Sequence, residues 1–253
     1  INYLVLLISA IYVLQSNNLP SRYDKLPNKI AESIGNIYNC SRFEYIKFGD
    51  TYACLLNSKR KKDKEKLVLF GNSHAYMYGW PFKKYLIQTD QPGLIIQLTS
   101  CLPFIDQNIS KKCIRKSINN LNEINKDKKI KDVIIGFTWY TKKLINDQGK
   151  ISEDDDFELR KRSIDNLINI LKKNNKNVYL IGPIDIPGNK FSPETISRQI
   201  IFKEKKGVNF KVKRKNFEKQ YRQIINYYDL TLGNNFLKPS EILCDKKNCY
   251  FGD

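Results

Sequence analysis

A serine hydroxyl is a weak nucleophile. It becomes useful beside a base, where free backbone N–H groups can hold a developing oxyanion, and the N-terminus of a helix supplies such groups. The stretch Leu67-Val68-Leu69-Phe70-Gly71-Asn72-Ser73-His74-Ala75 has the makings of that arrangement. Four apolar residues between a run of lysines and a glycine read as a buried strand, and Tyr76 to Leu86 carries apolar residues at helical intervals. Ser73 therefore falls on a strand-to-helix turn, which Gly71 lets the chain make sharply. A plain helix N-cap is the competing role, because serine is favoured there. His74 is the one histidine of the 253 residues. Adjacent residues at a helix start project in different directions, so His74 is expected to pack the turn rather than reach the Ser73 hydroxyl.

Six cysteines fall as three sequence-local pairs, Cys40 with Cys54, Cys101 with Cys113 and Cys244 with Cys249. Short-range pairs in even number suggest disulfides in an oxidising compartment, although six cysteines formally allow about fifteen connectivities. A zinc site is the rival. No Cys-x-x-Cys occurs and the single histidine lies in the serine motif, so no metal and no cofactor are expected.

The net charge of +18 could indicate an anionic partner. The lysines, however, are spread along the whole chain among many Asn and Ile residues, as a compositional bias would leave them. No aromatic-interleaved basic motif of a nucleic-acid-binding module appears, so no nucleic-acid partner is expected.

Stepwise along the chain, Ile1 to Leu14 is almost wholly apolar and uncharged, but spans only part of the roughly 20 residues a transmembrane helix needs. It is read as the end of a truncated transmembrane helix anchoring the protein to a membrane. Residues 15–65 are read as a linker with a small disulfide-tied subregion, and 66–253 as one domain. Strands are expected at Leu94 to Thr99, Asp132 to Thr138, Asn177 to Gly182 and Tyr228 to Leu232. Helices are expected at Ile114 to Ile124, Asp154 to Lys173, and once or twice between Pro193 and Tyr228. Runs such as VIIGF and VYLIG, apolar on both faces, point to a parallel sheet covered by helices, a three-layer α/β sandwich. Reactive groups in such a sheet gather beyond the C-terminal ends of the strands. Ser73, Thr99-Ser100-Cys101, Thr138-Trp139 and Pro183 all fall there.

Gly71-Asn72-Ser73-His74-Ala75 resembles the first block, usually Gly-Asp-Ser-His, of the SGNH hydrolase superfamily. It is more closely similar to the extracytoplasmic SGNH domain fused to membrane acyltransferases of the acyltransferase-three type, which O-acetylate cell-surface polysaccharides. Ser100-Cys101-Leu102-Pro103 closed by Cys113, a strand ending in Gly136-Phe137-Thr138-Trp139, Gly182-Pro183, and Leu243-Cys244-Asp245 with Cys249 extend the resemblance over roughly residues 66 to 253. It implies an SGNH or flavodoxin-like fold and transfer of an acyl group, expected to be acetyl, through a Ser73 acyl-enzyme. Thr99, Ser100, Trp139 and Asn72 would serve the oxyanion or the substrate. An upstream membrane domain would supply the acyl donor, a cell-surface polysaccharide such as lipopolysaccharide would accept it, and the domain would lie on the periplasmic side of a bacterial inner membrane.

Two departures stand out. Asn72 occupies a position where Asp is commoner, and the family's last block, Asp-x-x-His, has no counterpart after His74, so the resemblance places the base beyond residue 253. An esterase or deacetylase of the same superfamily, or a catalytically inactive glycan-binding module, are the alternative functions.

Overall fold

The computed structural model describes residues 45–57, 66–139, 143–151, 156–184 and 211–250. Ile1 to Leu14, Cys40, and the stretch from Pro193 to Gly207 expected to be helical lie outside them. The chain divides into two compact units, residues 37–185 with 212–250, and residues 1–36 with 186–211 and 251–253. The sheet and helices described next belong to the first.

Strand β3 (Lys66–Gly71) is buried on both faces and sits at the centre of the sheet. Its Val68 and Phe70 join one apolar cluster, and its Leu67 and Leu69 join another on the opposite face. Each such side chain, fully buried, contributes about 1.5–3 kcal/mol, which is why so apolar a run takes a central place. β4 (Gly93–Gln97) and β6 (Ile130–Gly136) flank it in parallel, and β8 (Asn177–Ile181) extends the parallel run beyond β6. The strand order is β1-β2-β4-β3-β6-β8-β10.

Helix α1 (Ser73–Tyr76) and α2 (Gly79–Gln88) cover one face through Ala75, Tyr76, Phe82 and Leu86. The expected helix from Tyr76 to Leu86 is thus broken in two at Met77 and Tyr78. The other face is covered by α3 (Lys111–Lys126), α4 (Asp156–Lys173) and α5 (Arg214–Leu232), whose Leu121, Ile124, Leu167, Leu171, Tyr221 and Tyr228 enter the larger cluster. This is the expected mostly parallel three-layer sandwich. Short pairs complete it, β5 (Gln107–Asn108) with β7 (Ile145–Asn146), and β9 (Lys211–Lys213) with β11 (Asn248–Tyr250).

Two expectations are corrected. Residues within the presumed linker form a hairpin, β1 (Tyr45–Phe48) and β2 (Thr51–Leu56), and β2 pairs antiparallel with β4. Tyr228 to Leu232 is no strand. It continues α5, because Phe217, Tyr221, Ile224 and Tyr228 recur at helical spacing on the buried face, and the Tyr228 hydroxyl donates to Asp165 Oδ1 at 3.2 Å on α4. The last parallel strand is instead β10 (Phe236–Leu237), beside β8, followed by the short helix α6 (Ser240–Leu243).

Candidate functional site

The turn from β3 into α1 is tight because two glycines meet across it. Gly71 lies opposite Gly136 in the parallel register, and a Cβ on Gly71 would stand 1.6 Å from the Gly136 carbonyl oxygen. Ala75 packs over the pair, 3.1 Å from where a Gly136 Cβ would be. The first turn of α1 is therefore pressed directly onto the ends of β3 and β6.

Asn72, not Ser73, caps that helix. Asn72 is 2% exposed, and its Oδ1 accepts the His74 N–H at 3.0 Å and the Thr138 N–H at 3.2 Å. One side chain thus satisfies an orphan donor of α1 and ties the turn to the end of β6. Two N–H donors on one oxygen fix the orientation of the amide, and its Nδ2 has no acceptor among the described residues. Relieved of capping, Ser73 stands at the first helical position, half-buried, and its hydroxyl has no hydrogen-bond partner among the described residues.

The loop after β4 closes on the same turn. The Leu98 N–H donates to Gly71 O at 3.1 Å and the Ser73 N–H to Thr99 O at 3.0 Å, so the β3–β4 ladder runs on into the loop. Thr99 has φ of 58°, in the left-handed region that a β-branched residue rarely enters. Thr99 and Ser100 form the exposed corner of a turn closed by the Cys101 N–H on Leu98 O at 3.1 Å. The Ser100 N–H points to no acceptor among the described residues. The disulfide Cys101–Cys113, with Cα atoms 5.2 Å apart, fastens this loop to the start of α3. A bridge over so short a loop stabilises by about 3 kcal/mol in the chain-entropy model.

Trp139 is 4% exposed and belongs to the core. Its ring packs between Phe137 and Tyr228, with centroids 4.7 and 6.2 Å away, and its indole N–H donates to Ile181 O at 3.1 Å. That bond laces the ends of β6 and β8 together, so Trp139 supports the site's floor while its donor is engaged there. Gly182 and Pro183 follow on the same end, with the Gly182 N–H on Leu237 O at 2.7 Å.

The His74 ring makes no hydrogen bond to Ser73, and partial burial holds its pKa below the ordinary 6.5. Cys244–Cys249 forms, with Cα atoms 3.9 Å apart. Cys54 is disulfide-bonded too, its expected partner Cys40 lying outside the described residues. Among the described residues no His, Cys, Asp and Glu group could hold a metal ion, and no helix is long and apolar enough to cross a membrane.

The sequence reading located the loops that meet here. What it missed was the division of labour between Asn72 and Ser73 and the engagement of the Ser73 N–H by Thr99, which depends on contacts across the sheet.

The family of SGNH domains fused to AT3 domains has a model that matches residues 39–253. Among solved structures, the chain is similar to the periplasmic domain of the lipopolysaccharide acetyltransferase of Salmonella ser. Paratyphi A. The two share 16% identity over 78% of this chain and 75% of that one, with a TM-score of 0.53, a likeness of fold. No curated protein matches the sequence.

Proposed function

Because the chain belongs to the family of SGNH domains fused to AT3 domains, we propose that it transfers an acyl group, acetyl by preference, to a hydroxyl of a cell-surface polysaccharide through a Ser73 acyl-enzyme. The observation that carries this reading is the freeing of Ser73. Asn72 does the capping, so a serine held at the start of a helix, on the C-terminal edge of a parallel sheet, keeps an uncommitted hydroxyl.

In this mechanism Ser73 Oγ attacks the acyl carbonyl as its proton passes to a histidine base. The tetrahedral intermediate then expels the donor's leaving group, which takes that proton back from the histidine. The acceptor hydroxyl attacks the resulting ester and gives its proton to the same base, which returns it to Ser73 Oγ as the second intermediate collapses and the acylated glycan leaves. The oxyanion needs donors without internal partners, and the Ser73 N–H is already committed to Thr99. We assign the role to the Ser100 N–H and the Asn72 Nδ2, each typically worth about 3 kcal/mol of transition-state stabilisation. Thr99 holds the loop in register and Trp139 holds the floor. The mechanism takes as its base a histidine of an Asp-x-x-His block, as the resemblance implies, rather than His74, whose ring makes no hydrogen bond to Ser73.

An upstream membrane domain supplies the acyl donor, and the domain works on the extracytoplasmic side, as the related acetyltransferase domain is periplasmic by its description. The two disulfides among the described residues suit an oxidising compartment. Cells carrying Ser73→Ala in place of the wild-type protein are expected to lose acylation of the surface glycan. Acylation at the wild-type level would overturn the assignment.

A further inference from the structure

A two-residue hairpin needs a backbone that turns with positive φ, and Gly49, with φ of 53°, provides it between β1 and β2. The turn is clamped to α3. A Cβ on Gly49 would stand 3.0 Å from Asn119–Asn120 atoms, and the Thr51 hydroxyl donates to the buried Asn120 Oδ1 at 2.8 Å. Hairpin and helix together wall a groove lined by Lys47, Tyr52, Lys112, Arg115 and Lys116, with Asp50 as its one acid. Asp50 is already engaged, accepting from Asn119 Nδ2 at 2.7 Å.

None of the four cations is in an ion pair among the described residues. Lys112 and Arg115 moreover lie in the first turns of α3, where the helix dipole repels positive charge and no acidic residue stands. Four cations gathered without an ion pair among the described residues repel one another, a repulsion that an anionic ligand would offset. Tyr52, 63% exposed, adds an apolar ring face at the rim, suited to the C–H side of a sugar.

The groove's position fits a substrate track. β2 runs antiparallel to β4, with Ala53 opposite Ile96 and Leu56 opposite Gly93, so its start at Thr51 lies at the C-terminal end of β4. That is the end on which Ser73 sits, since Gly71 pairs with Gln97. With the order β1-β2-β4-β3, strand spacings of about 4.8 Å put β2 about 10 Å and β1 about 14 Å from β3, a span of a few sugar rings. The Cys101–Cys113 bridge joins the Ser100 loop to the residue next to Lys112.

We propose that this groove binds a negatively charged polysaccharide, bearing carboxylate or phosphate groups, and leads it to Ser73. The proposal takes from the acyl-transfer reading only the identity of the ligand as acceptor. Binding requires no turnover, so the two can fail separately.

The test measures binding of the full chain to polygalacturonate, phosphomannan, neutral dextran and polyuridylate, with Ser73→Ala, the triple variant Lys112→Gln/Arg115→Gln/Lys116→Gln, and the triple variant Lys128→Gln/Lys172→Gln/Lys173→Gln, whose charges lie at the opposite end of the sheet. Wild type is expected to bind one or both anionic glycans and not dextran, with an affinity that falls as salt rises and drops about tenfold in the groove variant. Whichever anionic glycan binds more tightly identifies the charged group. The opposite-end variant and Ser73→Ala are expected to bind like wild type, and Lys112→Arg/Lys116→Arg to retain binding. Equal losses in both triple variants would reduce the effect to net charge and overturn the proposal. So would binding of dextran as tight as that of the anionic glycans, or tighter binding of polyuridylate at the same residues.

Discussion

Asn72 carries more of the account than its size suggests. Its Oδ1 bonds to His74 N–H and Thr138 N–H could be made equally by an aspartate, but only an amide keeps Nδ2 as a donor. Asn72→Asp is therefore expected to leave the urea midpoint close to wild type while lowering kcat for acyl transfer about a hundredfold, the loss typical of one oxyanion donor. An unchanged kcat would remove Nδ2 from the oxyanion site. His74 offers a second check at this scale. Burial lowers its folded pKa below 6.5, so the unfolded chain takes up its proton first, and the stability His74 allows is full above 6.5 and lost as pH falls. With only one histidine among the 253 residues, the comparison is direct. Between about pH 7 and about pH 5.5, the wild type should lose stability relative to His74→Gln in denaturant titrations, and parallel curves would contradict the partial burial. The sequence put Ser73 on this strand-to-helix turn, yet which residue capped the helix was decided one position away, at Asn72, which also reaches Thr138 just past the end of β6.

The element that organises the site is the β3–α1 turn. Gly71 and Gly136 are not equivalent, because a Cβ on Gly71 would meet backbone at 1.6 Å whereas one on Gly136 would meet Ala75 and Ile181 at 3.1 to 3.3 Å. Gly71→Ala should prevent folding, and Gly136→Ala should fold with a lowered melting temperature, both read by circular dichroism. A stable Gly71→Ala protein would show that the turn is looser than described. β3, β4, β6, β8, α3 and α4 were legible, because strands apolar on both faces and helices with regular apolar spacing leave strong local patterns. The hairpin β1–β2 was not. β1 is an exposed edge whose polar and aromatic mixture resembles a linker, and the hairpin's place in the sheet comes from the pairing of β2 with β4 some forty residues later. β10 is two residues long, too short for any periodicity, and is a strand only because β8 is there to receive it.

At the scale of the whole molecule, the parallel strands deliver one serine, one strained loop and one capping amide to a single edge of the sheet, and the antiparallel hairpin delivers a cationic groove to the same edge. Disulfides lock the loops that the sheet alone leaves free. The net charge was legible from the start, but its concentration in that groove was not, because Lys47 and Lys112 come together only when β1–β2 packs on α3. The claim on which the rest depends is that the Ser73 hydroxyl becomes esterified. The direct measurement is peptide mass spectrometry on the protein isolated from acylating cells and quenched in acid. The account predicts an acyl group on the peptide containing Ser73 and none in Ser73→Ala. Acyl transfer to the glycan with Ser73 never modified, or with the acyl group found on another residue, would contradict it.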